Sequence, residues 1–258
     1  MSAARSSGLR RLLGGCVALL VALALAACSG EKKNVRGESQ SAYKLGVAYL
    51  REGRTSMALQ EFAKAEALTP DDPEVLNGLG LTYWARHEYA LATAKLQKAT
   101  ALKPDDSRAW NSLGALYGEQ GRYPEAVNAF ENALKNVFYD TRELALANLG
   151  WALVKSGRVA DGEKRLREAV DLNPSFAPAR KNLGMVLQER GEYREAVTHL
   201  DVALQRSPDD AEVHLYRGLC LFKLGDREAA RASFEKAWRL APGAEAGKSA
   251  KNYLDLLQ

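Results

Sequence analysis

Apolar residues recur along this chain at helical spacing, in paired blocks that follow one another at a step of 34 residues. The block from Ser107 to Asn132 carries the pattern most fully. Trp110, Leu113 and Tyr117 fall at i, i+3 and i+7, one face of a helix. Gly114 lies on that face and has no side chain, so a second helix can approach it closely. Ala126 supplies the small surface opposite, and Phe130 fills the next turn. Between the two halves Gln120-Gly121-Arg122 breaks the helix, with Gly121 suited to a left-handed cap. One block therefore predicts two antiparallel helices whose apolar face is completed only by the next block.

The order W-x2-L-G-x2-Y followed by A-x3-F is the signature of the tetratricopeptide repeat. Six copies are legible, at residues 39–72, 73–106, 107–142, 143–176, 177–210 and 211–244. The first repeat places Leu45, Gly46, Tyr49, Ala58 and Phe62 in the signature positions. Pro70, Pro104, Pro174, Pro208 and Pro242 are expected to stop the second helices. Asp72, Asp106 and Asp210 are expected to cap the first helices that follow. Turn glycines recur, except that the second repeat has His87 there. The fourth repeat has Gly162 where Ala is usual, which predicts a slightly weaker second helix. One joint breaks the period. From Gly114 to Gly150 is 36 residues, and the excess falls at Asn136–Asp140, which predicts a longer linker. Residues 245–258, with Tyr253, Leu254 and Leu257, are expected to cap the last open face. The fold class is all-α: a tetratricopeptide-repeat superhelix of six helix-turn-helix repeats, read as one array with a C-terminal capping helix.

Residues 1–27 are of another kind. Arg5, Arg10 and Arg11 precede an uncharged, mostly apolar run from Leu12 to Ala27. Sixteen residues are short for a membrane span, which needs about 20, and suit a secretory signal peptide. The run ends in Leu25-Ala26-Ala27-Cys28-Ser29. That segment resembles the lipobox of bacterial lipoproteins, which implies cleavage before Cys28 and acylation of that cysteine. Apart from this covalent lipid, no cofactor is expected. The resemblance implies the outer membrane, facing the periplasm, because the residue after the cysteine is Ser29 and not the Asp that favours inner-membrane retention. Residues 28–38 are polar and lack periodicity, and read as the lipidated cysteine and a flexible tether.

Charge changes the picture only once that signal is set aside. The whole chain has a formal charge of +4. Without residues 1–27 it has 33 basic and 32 acidic residues, a net of +1. No nucleic-acid-binding surface is indicated. Cys16 lies in the signal and Cys28 in the lipobox, so Cys220 is left alone in the body, as a small buried residue of a helix. His87, His199 and His214 are scattered and read as surface or groove residues. No metal site and no catalytic constellation is expected.

The lipobox, the six repeats and the stretch NVFYDTRELALANLGW entering the fourth together resemble the type IV pilus biogenesis lipoproteins called PilF, PilW or Tgl. The resemblance covers the whole chain, and the aromatic joint around Phe138-Tyr139 is its more diagnostic part. It implies a pilotin: an outer-membrane lipoprotein that binds subunits of the type IV pilus secretin and promotes their insertion and multimerisation. The alternative is another periplasmic adaptor, for cell-wall or outer-membrane assembly machinery.

First helices line the concave face through repeat positions 2, 5, 9 and 12. Apolar groups there are surplus to the fold, which marks a docking surface. Tyr43, Val47, Leu50, Leu81 and Trp84 form the candidate patch, with Trp151 as a further aromatic anchor. Asn77 and Asn111 are candidates to hydrogen-bond a bound segment. A carboxylate clamp of the chaperone-tail-binding kind is not supported, because Tyr43 and Val47 stand where it needs polar groups.

Overall fold

The computed structural model describes residues 34–257, and the expected signal peptide and Cys28 lie outside them. Thirteen helices and no strand occur among the described residues. Helix α1 (34–51) pairs with α2 (Thr55–Leu68), α3 (Pro73–Ala85) with α4 (Tyr89–Leu102), and α5 (Ser107–Glu119) with α6 (Tyr123–Ala133). The series continues with α7 (Arg142–Lys155), α8 (Val159–Leu172), α9 (Ala177–Glu189), α10 (Tyr193–Arg206), α11 (Ala211–Leu224) and α12 (Arg227–Leu240), and ends with α13 (Glu245–Leu256). The fold is an all-α tetratricopeptide-repeat fold. Its contacts group into two compact units, and the chain passes from one to the other between Lys103 and Pro104. Each repeat touches only its neighbours, so a repeat array is always divisible at a joint.

Within each repeat the first helix lies against the second at a glycine. A Cβ added to Gly46, Gly114 or Gly218 would sit 2.6–2.9 Å from the ring of Phe62, Phe130 or Phe234. Gly80, Gly150 and Gly184 stand in the same relation to Leu96, Leu166 and Leu200. These six large side chains are buried. The caps follow the sequence. The Asp72, Asp106 and Asp210 carboxylates each accept hydrogen bonds from two backbone N–H groups of the first turn, as at Glu74 (2.9 Å) and Arg108 (3.0 Å). Second helices end two residues before each proline, and the residue between leaves helical geometry, as Thr69 does at φ −138°. The turn glycines all have positive φ, and His87 adopts φ 60° in their place.

The expected long joint is present. Eight residues, 134–141, separate α6 from α7, where the other joints between repeats have four. It is held by Arg142, which donates from Nη1 to the Leu134 carbonyl at 3.0 Å, and by Tyr139, buried against Trp110, Leu134, Ala133 and Ala145. Phe138 points away and is 91% exposed. Helix α13 packs on α11 and α12. Its Tyr253 ring stacks on Phe234 with centroids 5.1 Å apart, and Leu254 is buried beside it.

Two expectations are corrected and a third is extended. Residues 34–38, read as part of the tether, are helical and belong to α1. Leu45 occupies a signature core position but is 42% exposed, because none of the described helices precedes α1. Gly162 also has a packing role that the repeat pattern does not show: a Cβ there would lie 2.6 Å from the Gly150 carbonyl oxygen and from Val154 Cγ2. Gly162→Ala would gain about 1 kcal/mol of helix propensity but incur an overpacking penalty of about 1–3 kcal/mol. The substitution is expected to lower Tm by a few degrees in thermal unfolding followed by circular dichroism. An unchanged or raised Tm would show that α7 and α8 separate freely.

Candidate partner-binding groove

In the first unit, α1 and α3 carry six of the eight groove candidates. Tyr43, Val47 and Leu50 follow one another along α1 and are half-buried. Each is packed against the core of Ala42, Ala58, Phe62, Ala65, Val75 and Leu79. The Tyr43 ring meets Phe62 at 5.8 Å and 56°. These side chains therefore serve two surfaces: one side closes the core and the other faces out. Asn77, Leu81 and Trp84 hold the matching positions on α3, also half-buried. The Asn77 Oδ1 is buried and accepts no hydrogen bond, an unmet acceptor on an otherwise apolar wall. Beside Tyr43 opens a cavity of about 390 Å³, bounded by Arg36, Gln40, Thr69, Glu74 and Lys103. Its mixed charge and its continuity with Tyr43 give the apolar strip a polar end.

The second unit carries the other two candidates. Asn111 Oδ1 already accepts from Asn148 Nδ2 at 3.3 Å, so its amide group is the part left toward a partner. Trp151 is half-buried, and Lys155 Nζ lies 4.5 Å from its ring centroid. Position 5 of the fifth repeat, which the sequence reading did not consider, is Lys181. Its ammonium meets Glu212 at 2.6 Å and Asp210 at 3.0 Å. Burial works against that charge, but the bonds from Glu212 and Asp210 outweigh it and hold its pKa above the usual lysine value. A cavity of about 300 Å³ opens here, among Pro178, Asn182, Ser207 and Val213. The register signal was available, since Lys181 stands where Tyr43, Asn77 and Asn111 stand in their repeats.

The titratable groups are assigned to packing. Cys220 is fully buried, and burial pushes its thiol up to about 12, which makes it inert toward nucleophilic chemistry. His199 is buried, against the expectation of a surface or groove role. Arg180 Nη1 lies 2.9 Å from its Nδ1, so Nδ1 accepts and the ring proton sits on Nε2, which faces Glu195 Oε1 at 3.6 Å. Glu195 continues to Arg167 (2.7 Å), and Arg167 to Glu163 (2.9 Å), which Arg190 also binds. This chain of charges ties α8, α9 and α10. His87 borders Tyr89 in its turn, and His214 Nε2 bonds the Pro208 carbonyl at 2.9 Å. No cluster able to hold a metal ion, and no helix long and apolar enough to cross a membrane, occurs among the described residues.

Comparisons with known proteins agree on the architecture. A family model described as the Cilia and flagella-associated protein 70 C-terminal domain matches residues 21–213, and a tetratricopeptide-repeat model matches residues 187–252. The structure of pilF from Pseudomonas aeruginosa superposes with a TM-score of 0.77 at 23% identity, covering 86% of this chain and 99% of that one. The crystal structure of PilW, a widely conserved type IV pilus biogenesis factor, gives 0.74 at 22% identity, covering 83% and 98%. At these identities the likeness is one of fold. Among curated sequences, the human intraflagellar transport protein 88 homolog is 24% identical over 119 residues, which are 44% of this chain and 14% of that protein. The Drosophila melanogaster BBSome complex member BBS4 homolog is 32% identical over 96 residues, 37% of this chain and 20% of that protein. The chain thus spans a fifth or less of the length of these two relatives.

Burial, and after it the Arg180 charge, depresses the His199 pKa below 6.5. The unfolded chain then binds the extra proton first, so this contribution to stability is full above about pH 6.5 and is lost as pH falls. Chemical denaturation between pH 7 and pH 5 is expected to show a steeper stability loss in the wild type than in His199→Gln. Parallel pH profiles would refute the assignment of a neutral, buried imidazole.

Proposed function

Since the chain belongs to the tetratricopeptide-repeat family described as the Cilia and flagella-associated protein 70 C-terminal domain, we propose that it is a binding scaffold and not an enzyme, and that its partner is the type IV pilus secretin. The reading is that of a pilotin. Cys28 carries lipid and anchors the chain to the periplasmic face of the outer membrane, while the groove holds secretin subunits as they insert and multimerise. One observation carries most of the weight: the fold likeness to pilF and PilW extends over more than four fifths of this chain and nearly all of theirs. The groove supports it. Tyr43, Val47, Leu50, Leu81 and Trp84 remain partly open after the core is filled, and aromatic anchors of this kind concentrate binding energy.

Two experiments test this. Secretin from outer-membrane fractions is blotted for heat-resistant multimers in wild-type, deletion and Tyr43→Ala/Trp84→Ala cells. Multimers are expected to disappear in the deletion strain and to fall at least tenfold in the double variant, with that protein still folded and membrane-bound. Normal multimers in the deletion strain would reject the pilotin reading. Separately, Cys28→Ala is expected to release the protein from sedimented membranes, and tight retention would reject the lipid anchor.

A further inference from the structure

In three repeats, position 4 of the first helix braces the joint that leads into it. Trp110 Nε1 donates to the Pro104 carbonyl at 2.9 Å, and His214 Nε2 to the Pro208 carbonyl at 2.9 Å. In the fifth repeat Arg180 Nε donates to the Pro174 carbonyl at 2.8 Å. Arg180 differs because a guanidinium has further N–H groups. Its Nη1 reaches His199 Nδ1 on α10 at 2.9 Å. One planar fork therefore links the joint 173–176, α9 and α10. The fifth is also the one repeat of the six with ionisable side chains at both position 4 and position 23, Arg180 and His199.

The bond to His199 exists only while Nδ1 keeps its lone pair. A proton there turns the acceptor into a second donor and sets an imidazolium against a guanidinium. The charges around the ring give it one way out. Arg180 on α9 and Arg167 on α8 are cations, and Arg167 is itself held by Glu163, which Arg190 also binds. Glu195, on the same helix as His199, is the carboxylate, 3.6 Å from Nε2. Helix α11 meets α10 through an apolar cluster with Leu200, Ala203, Val213 and Cys220, and its Arg217 is held by Asp201. The imidazolium is drawn to Glu195, and the half-buried Arg180 has solvent to turn into.

We propose that Arg180 and His199 form a proton-operated latch on the joint between the fourth and fifth repeats: when His199 takes a proton, Arg180 leaves both Nδ1 and the Pro174 carbonyl, and residues 173–176 open while the other joints stay closed. The guanidinium is planar, so Nε and Nη1 cannot be redirected separately. Without the fork the joint keeps short local bonds, from the Phe176 N–H to the Asn173 carbonyl at 3.0 Å and from the Ser175 N–H to Asn173 Oδ1 at 3.3 Å. The brace of the next joint, His214, donates to a carbonyl and can do so with or without an added proton. The latch thus differs from a general loss of stability in acid, because it places the opening at one joint. That joint runs into Ala177, Pro178 and Lys181, which border the cavity of about 300 Å³, so acid would loosen this end of the second unit's groove. The latch involves neither lipid nor secretin and stands apart from the pilotin reading.

Hydrogen–deuterium exchange of the full chain in detergent tests this at pH 7 and pH 5, with rates corrected for intrinsic exchange at each pH. Peptides covering residues 173–180 are expected to lose protection at least tenfold at pH 5, with joint 207–210 unchanged. His199→Asn keeps an acceptor near the Nδ1 position and takes no proton, so it is expected to stay protected at pH 5. Arg180→Leu is expected to show the open joint already at pH 7. Circular dichroism confirms that both variants are folded. In the wild type, ¹⁵N spectra follow His199, and its titration midpoint is expected to coincide with that of the opening. Protection unchanged at pH 5, an equal loss in His199→Asn, or a loss spread evenly over all joints would overturn the proposal. So would separate midpoints for the ring and the joint.

Discussion

The contact on which the structure depends is a large side chain lying on a glycine. In all six repeats the Phe or Leu of the second helix occupies the space that a Cβ would take on the first. Nothing larger than hydrogen fits without displacing that side chain, so helix separation and rotation are set together. The outer faces of the two helices of each hairpin are thereby held in one fixed relation.

Local chemistry was the most legible part. Aspartate caps, proline stops and left-handed turns depend on residues within four positions of one another, and Asp72, Pro70 and Gly121 behave as their neighbours dictate. The two-residue excess of the third repeat was also countable, but the early end of α6, which lengthens the joint by four, was not. Three features were not legible, and each depends on something across the chain. Whether position 7 is buried depends on a preceding helix, which is why Leu45 and Leu79 differ. Gly162 reads as a weak helix former until the Gly150 carbonyl is seen against it. His199 reads as polar surface until Arg180 and Glu195 close over it. The groove positions were readable from register alone, but the second role of Tyr43, Val47 and Leu50 in the core was not.

That double role matters for how the groove works. A side chain with one side in the core is already restricted before any partner arrives, so less rotamer freedom is lost on binding. Phe62 holds Tyr43 in this way. The charged chain from Arg180 to Glu163 stiffens the second unit by a different means, linking three helices through side chains and not through apolar contact.

The eight-residue joint has a mechanical meaning. Four residues more than its counterparts amount to about 13–14 Å of additional contour when drawn straight. This slack is stored behind the Tyr139 ring, the tie from Arg142 to the Leu134 carbonyl, and the turn at Asn136, whose oxygens accept from the Phe138 and Tyr139 N–H groups. A pull along the chain is expected to draw out this joint before any hairpin opens, because each hairpin is closed along two helices by a large side chain seated on a glycine, and this loop by one buried ring and a few hydrogen bonds. The third joint is thus a built-in extension spring, able to lengthen under load while the repeats on either side keep their form.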